Sequence, residues 1–148
     1  MEDGEKRDSG RERNLPQNVP AYLNPAAANP FELLTLKIAD LFNRFGPPVS
    51  VYAVRGEQLW QDDVVLEYGE VDVYLYKDQV WQVSLPKIQG LARGDPEKAI
   101  GLVFQNAVRK GSNFYTVQFN ERPWPVELRI NLNKSGKISA IYLYRLNY

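Results

Sequence analysis

Residues 73–83 read VYLYKDQVWQV, two aromatic and apolar segments around a short polar stretch, and the fold turns on how the two segments pair. Side chains alternate faces along a strand, so the length of the connecting loop decides which residues of one strand share a face with which of the next. With a two-residue loop after Tyr76, Tyr74 and Tyr76 join Trp81, Val83 and Leu85, while Val71, Val73 and Leu75 share a face with Gln82 and Ser84. Neither face is then clean. With a three-residue loop of Lys77, Asp78 and Gln79, the apolar set becomes Val71, Val73, Leu75, Trp81, Val83 and Leu85, and Asp72, Tyr74, Tyr76, Val80, Gln82 and Ser84 lie opposite. The odd loop segregates polarity better, although Gln79 is not an ideal residue for the left-handed position such loops often use. This reading puts Trp81 in the core and leaves Tyr74, Tyr76 and Val80 on the other face.

The segment before this hairpin, NPFELLTLKIADLFNRFGPP at residues 29–48, has the punctuation of one helix. Asn29 suits the cap, Pro30 the first helical position and Glu32 the third, as in a capping box. Leu34, Ile38, Leu41 and Phe45 recur at helical spacing, and Gly46, Pro47 and Pro48 end the run. A second helix is expected from Asp95 as cap and Pro96, with Glu97 in the first turn. Ile100, Val103, Phe104 and Ala107 face inward, and Arg109, Lys110 and Gly111 close the helix at the negative end of its dipole.

The strand segments downstream of the two helices also correspond. After Gly46 come VSVYAV, Trp60 with VVLEY, and VDVYLYK; after Gly111 come NFYTVQF, Trp124 with VELRINLN, and ISAIYLYRL. The landmark pairs Asn29/Asp95, Gly46/Gly111, Trp60/Trp124 and Tyr74/Tyr142 are 66, 65, 64 and 68 residues apart. So steady an offset predicts an internal duplication. The first copy has one further strand, VWQVSL, before the linker PKIQGLARG. The predicted class is α+β, in the order α-β-β-β-β-α-β-β-β, with helices packed on antiparallel strands because the connections are too short for parallel crossovers. Residues 1–28 form an arm, 29–92 a first α+β repeat and 93–148 a second. In the second hairpin a loop of Lys134, Ser135 and Gly136 places Ile138, Ala140, Tyr142 and Tyr144 on one face with Val126, Leu128, Ile130 and Leu132. Ile141 and Leu143 then point to the other side.

The chain has 148 residues and 44% apolar content, enough for one packed domain or two small repeats sharing a core. Eighteen basic residues balance eighteen acidic ones, which argues against nucleic acid as a partner, because phosphate binding needs a basic footprint. The balance is uneven: residues 1–92 carry nine basic against fourteen acidic residues, and 93–148 nine against four. Such a split steers an acidic partner to the second half or joins the halves to each other. Cysteine and histidine are both absent, which excludes disulfides, thiolate nucleophiles, Cys/His zinc sites and histidine relays. No apolar run is long enough for a membrane span, and MEDGEKRDSGRERNLP is nothing like a signal peptide. The expected location is cytoplasmic, with the envelope open to a chain from which a signal segment has been removed. Residues 1 to about 14 are nearly all charged or small and are expected to be disordered. Leu15, Val19, Tyr22 and Leu23 offer the arm a way to dock.

The capped helix ending in RFGPP, a strand, a tryptophan before DDVVLEY and the hairpin VDVYLYKDQVWQV together resemble the SmpA/OmlA-like small lipoproteins of the outer-membrane β-barrel assembly machinery. The repeat fold of β-lactamase inhibitory protein is similar. The resemblance covers residues 29–85 well and 95–148 loosely, and it implies protein binding without catalysis. This sequence departs from those lipoproteins in lacking the lipid-bearing cysteine.

Asp62 and Asp63, with Glu67, Glu70 and Asp72, make the one carboxylate cluster, which reads as a charged strand edge rather than an acid–base or metal pair. GLARG at residues 90–94 lacks the pattern of a phosphate loop. The expected function is therefore a non-catalytic protein-interaction module with no cofactor or metal, its partner-binding residues Tyr74, Tyr76, Val80 and Trp124, the last in the proline-bracketed loop ERPWP. The partner and the oligomeric state are left open. The alternative is a small apolar ligand-binding protein, or an enzyme using carboxylate and tyrosine in a helix–sheet pocket.

Overall fold

A computed structural model describes residues 21–58, 64–120 and 124–146. Trp60, Asp62 and Asp63, and the arm up to residue 20, lie outside the described residues. Among the described residues the strands are β1 (Ser50–Ala53), β2 (Val64–Glu67), β3 (Asp72–Tyr76), β4 (Gln79–Ser84), β5 (Lys87–Ile88), β6 (Leu91–Ala92), β7 (Val108–Arg109), β8 (Phe114–Phe119), β9 (Val126–Leu132) and β10 (Ile138–Arg145). Eight of them form one antiparallel sheet in the order β1-β2-β3-β4-β10-β9-β8-β7, and β5 and β6 make a small separate hairpin. Helices α1 (Pro30–Leu33), α2 (Ile38–Phe45) and α3 (Lys98–Val103) contribute to the same hydrophobic cluster as one face of the sheet. The fold is thus α+β, dominated by antiparallel sheet. The segments 29–92 and 93–148 share this sheet and its core. The strand order makes β4 the counterpart of β10, whereas the sequence offset equates β3 with β10, so the two correspondences are one strand out of step.

The faces of the sheet are set by two bulges. In the β3–β4 hairpin the turn is closed by Tyr76 opposite Gln79, a two-residue loop of Lys77 and Asp78, with Lys77 at φ 58°. The register then shifts, Leu75 facing Val80 but Tyr74 facing Gln82, so that Trp81 is the extra residue. A bulge sets two residues against one and changes the alternation beyond it. Val80 and Val83 therefore both enter the core with Val71, Val73, Leu75 and Leu85, while Trp81 turns to the side of Tyr74, its ring 6.0 Å away. Trp81 is buried as expected, at 5% exposure, but on the tyrosine face and outside the helix-side cluster, whereas Val80, expected beside the tyrosines, is in that cluster with no exposed surface.

The second hairpin repeats the device. Its loop is the expected Lys134–Gly136, with Gly136 at φ 75° and the Asn133 carboxamide accepting from the backbone N–H of Ser135 and Lys137. Ile138 faces Leu132, but Ala140 faces Asn131, leaving Ser139 as the extra residue. Beyond it Ile141 and Leu143 are buried in the core, and Tyr142 and Tyr144, expected inside, stand on the opposite face.

The first predicted helix is broken in two. Asn29 caps α1, its side chain accepting from Phe31 N, but Glu32 completes no capping box. Instead the Lys37 N–H of the next segment donates to Asp40 Oδ2. The break is held from outside: the Gln79 amide nitrogen donates to the carbonyls of Leu34 (3.0 Å) and Leu36 (2.9 Å), Val80 N donates to Leu36 O, and Ile38 N donates to Asp78 O. The tip of the β3–β4 hairpin thus takes up groups that a continuous helix would have used internally.

The second predicted helix is shortened in the same way. Gly94 N and Glu97 N donate to the carbonyls of Ile138 and Gly136, and Asp95 O accepts from Ile138 N. The backbone at Asp95 is thereby committed to the start of β10, and α3 begins at Lys98. At the other end Val108 and Arg109 are drawn into β7 against β8, so Arg109 closes no helix; its guanidinium donates to Glu97 Oε2 at 2.9 Å.

Of the arm, the described end packs on α2. Leu23 N donates to Arg44 O, and the Tyr22 ring lies so close to Gly46 (φ 74°) that a Cβ there would come within 2.6 Å of it. Glycine at this helix end serves both the turn and that approach.

Candidate partner-binding face

The register assigns to the outer face, away from the helices, Tyr52 on β1, Val65 on β2, Asp72 and Tyr74 on β3, and Trp81, Gln82 and Ser84 on β4. Across the centre of the sheet it continues with Tyr142 and Tyr144 on β10, Glu127, Arg129 and Asn131 on β9, and Phe114, Thr116 and Gln118 on β8. Tyr74 is the hub. It meets Trp81 edge to face and also Tyr142, at 6.5 Å between ring centres with planes at 77°, geometries that suit the aromatic quadrupole. Burial pushes its hydroxyl above the ordinary range, helped by Tyr142 and Tyr52, and it shares a hydrogen bond with Tyr52.

Polar groups pair off around the aromatics. Tyr144 donates to Glu127 Oε2, and Gln118 Nε2 donates to Glu127 Oε1 at 3.1 Å. Burial and the bond to Glu127 push the Tyr144 hydroxyl up. Burial and the neighbouring Glu67 raise the Asp72 carboxyl, against a lowering effect of Arg93. Ser50 donates to Glu67. Arg129 is held flat: its Nε donates to Asn131 Oδ1 at 2.8 Å, and its guanidinium carbon lies 3.8 Å from the centre of the Phe114 ring. Beside it, a cleft of ≈ 430 Å³ is lined by Val54–Glu57, Tyr74, Trp81, Gln82 and Arg129, so the chain leaving β1 forms one wall and the sheet the floor.

The four residues expected to bind a partner do not form one surface. Tyr74 is half-buried at the centre of the outer face. Tyr76 sits at the turn, with the Lys77 ammonium 5.4 Å from its ring centre. Val80 is in the core, where no partner reaches it. Trp124 packs against the core cluster on the helix side, under the Arg145 guanidinium at 3.6 Å. The structure instead brings Tyr52, Trp81, Tyr142 and Arg129 to Tyr74. The echo of VYLYK in IYLYR was the one sequence signal for this grouping, since it marks the two strands whose tyrosines meet. Of the carboxylate cluster, Asp62 and Asp63 fall outside the described residues. Among the described residues no three of His, Cys, Asp or Glu are placed to hold a metal ion, and no helix is long and apolar enough to cross a membrane.

No family model matches the chain, and no curated protein matches it. Among solved structures, an extracellular protein containing an SCP domain from Bacillus anthracis str. Ames is similar over 87% of this chain, with 7% identity and a TM-score of 0.49. This chain spans 49% of that one, and a likeness of this degree carries no functional argument.

Proposed function

We propose that this chain is a non-catalytic protein-interaction module whose contact surface is the outer face of the sheet, centred on Tyr74 and Tyr142, with the buried Trp81 ring packed against Tyr74. The observation that carries the reading is the edge-to-face cluster of these rings on the face opposite the one against which the described helices pack. Aromatic side chains already fixed by their neighbours lose little entropy on binding, and they dominate interface energies where they occur. The resemblance of residues 29–85 to the SmpA/OmlA-like lipoproteins implies the same class of function, and the two-repeat organisation belongs to this proposal with it.

Site-specific photo-cross-linking in the source cell tests the reading. A photoreactive residue is placed in turn at Gln82 on the outer face, at Val51 on the edge strand β1 and at Leu102 on the exposed side of α3. The reading expects a discrete protein adduct from position 82 that Tyr142→Ala weakens, and none from position 102. Adducts from Leu102 or Val51 without one from Gln82 would move the interface to another surface.

A further inference from the structure

We propose that the cleft beside Trp81 receives a carboxylate side chain of a partner polypeptide, with Arg129 as its anchor. The inference rests on the reading of the outer face as the contact surface. Three features of Arg129 point to it. Its guanidinium is immobilised by the Phe114 ring and by the single bond from Nε to Asn131. Among the described residues no other hydrogen bond to it is formed, so the two terminal nitrogens retain their donors. It lines the cleft, together with Gln82, whose carboxamide offers a further donor.

A guanidinium already fixed in plane is the arrangement that favours paired hydrogen bonds to a carboxylate, because little freedom remains to be lost. Glu127 on its own strand is turned to other donors, accepting from Tyr144 and Gln118. Glu57 and Arg55 also line the cleft. Tyr74 in the floor of the cleft offers an aromatic surface to the residues flanking the acid, which favours a peptide over a bare anion. The excess of basic over acidic residues in 93–148 adds long-range attraction for such a segment.

The test is a titration of the full chain with the blocked tripeptide acetyl-Tyr-Glu-Tyr-amide, its glutamine counterpart and benzoate, followed by NMR of the Arg129 Nε–H and the Trp81 indole. The proposal expects saturable shifts with the glutamate peptide and affinity weaker by about tenfold or more for the glutamine one, the scale of a hydrogen bond to a charged group. Added salt should weaken the first and not the second. Gln82→Glu, a change of charge at the rim, should lower affinity for the glutamate peptide by a similar factor while the thermal melt stays in place. Arg129→Gln should remove the discrimination between the peptides, and its melt reports whether the fold survives the loss of the stack. Equal affinity for both peptides, or indifference to Gln82→Glu, overturns the proposal. So does benzoate binding as tightly as the peptide, which would make the cleft a small-anion site. A natural partner bound at Gln82 independently of Arg129 and of salt would overturn this inference alone; no partner at the outer face would remove the reading on which it rests.

Discussion

Tyr74 and Trp81 lie on adjacent strands with ring centres 6.0 Å apart and planes at 68°, and they share a face because a bulge at Trp81 sets it beside Gln82 opposite one residue. The same bulge delivers Val80 to the core. Substitutions at the two neighbouring positions should therefore differ in kind. Val80→Asp places an unpaired carboxylate among apolar side chains and should abolish folding. Trp81→Ala should leave a folded protein destabilised by about 3 kcal/mol, because the indole is largely buried yet on the outer face. Chemical denaturation distinguishes them, and a folded Val80→Asp would contradict the register.

Gln79 is expected to stabilise the break between α1 and α2. Gln79→Ala leaves the Leu34 carbonyl without its donor and the Leu36 carbonyl with Val80 N alone, at a cost of about 1–3 kcal/mol. Gln79→Glu should cost more, since it turns a donor into a charge facing two carbonyl oxygens. Urea titration measures both. Wild-type stability in Gln79→Ala would mean that the helix break holds without the hairpin.

Lys77 carries a left-handed backbone, φ 58°, which costs most residues about 1 kcal/mol and asparagine less. Lys77→Asn should raise the melting temperature by a few degrees. A lower one would show that the lysine's contact with the Tyr76 ring outweighs the backbone strain.

Alkaline pH should destabilise the fold through its buried tyrosines. The Tyr68 hydroxyl donates to Gly46 O at 2.9 Å, and burial pushes its pKa from 10.0 up to about 12. The unfolded chain then loses this proton first, so the contribution is complete below pH 10.0 and is lost as pH rises toward about 12. Tyr74 and Tyr144, also pushed up by burial, act in the same direction. Melting temperatures from pH 8 upward should fall above about pH 10, and less steeply in Tyr68→Phe. An unchanged slope in that variant would remove Tyr68 from the explanation.

Most strands, the antiparallel pairing and the helix cap at Asn29 were legible in the sequence, because apolar periodicity and capping chemistry are local. The faces were not. Loop parity carries alternation from one strand to the next only while neither strand gains a residue, and Trp81 and Ser139 each add one. For this reason Val80 exchanged places with Trp81, and Tyr142 and Tyr144 moved from the expected core to the outer face. The helix boundaries failed for a related reason: Gln79 and the start of β10 supply hydrogen bonds from distant segments, and these override the helical preference of residues 34–37 and 95–97. Arg129 gave no signal, since its role depends on Phe114 and Asn131 lying beside it across the sheet.

The outer face carries a prebuilt cluster in which Trp81 packs with the tyrosines. Nuclear Overhauser contacts from the Trp81 indole test it most directly. Cross-peaks are expected from the indole to the Tyr74 ring and from the Tyr74 ring to Tyr142, with none from the indole to the methyls of Leu41 or Leu75. Indole contacts to those core methyls, with no contact to Tyr74, would place Trp81 in the core and contradict both the bulge and the surface built on it.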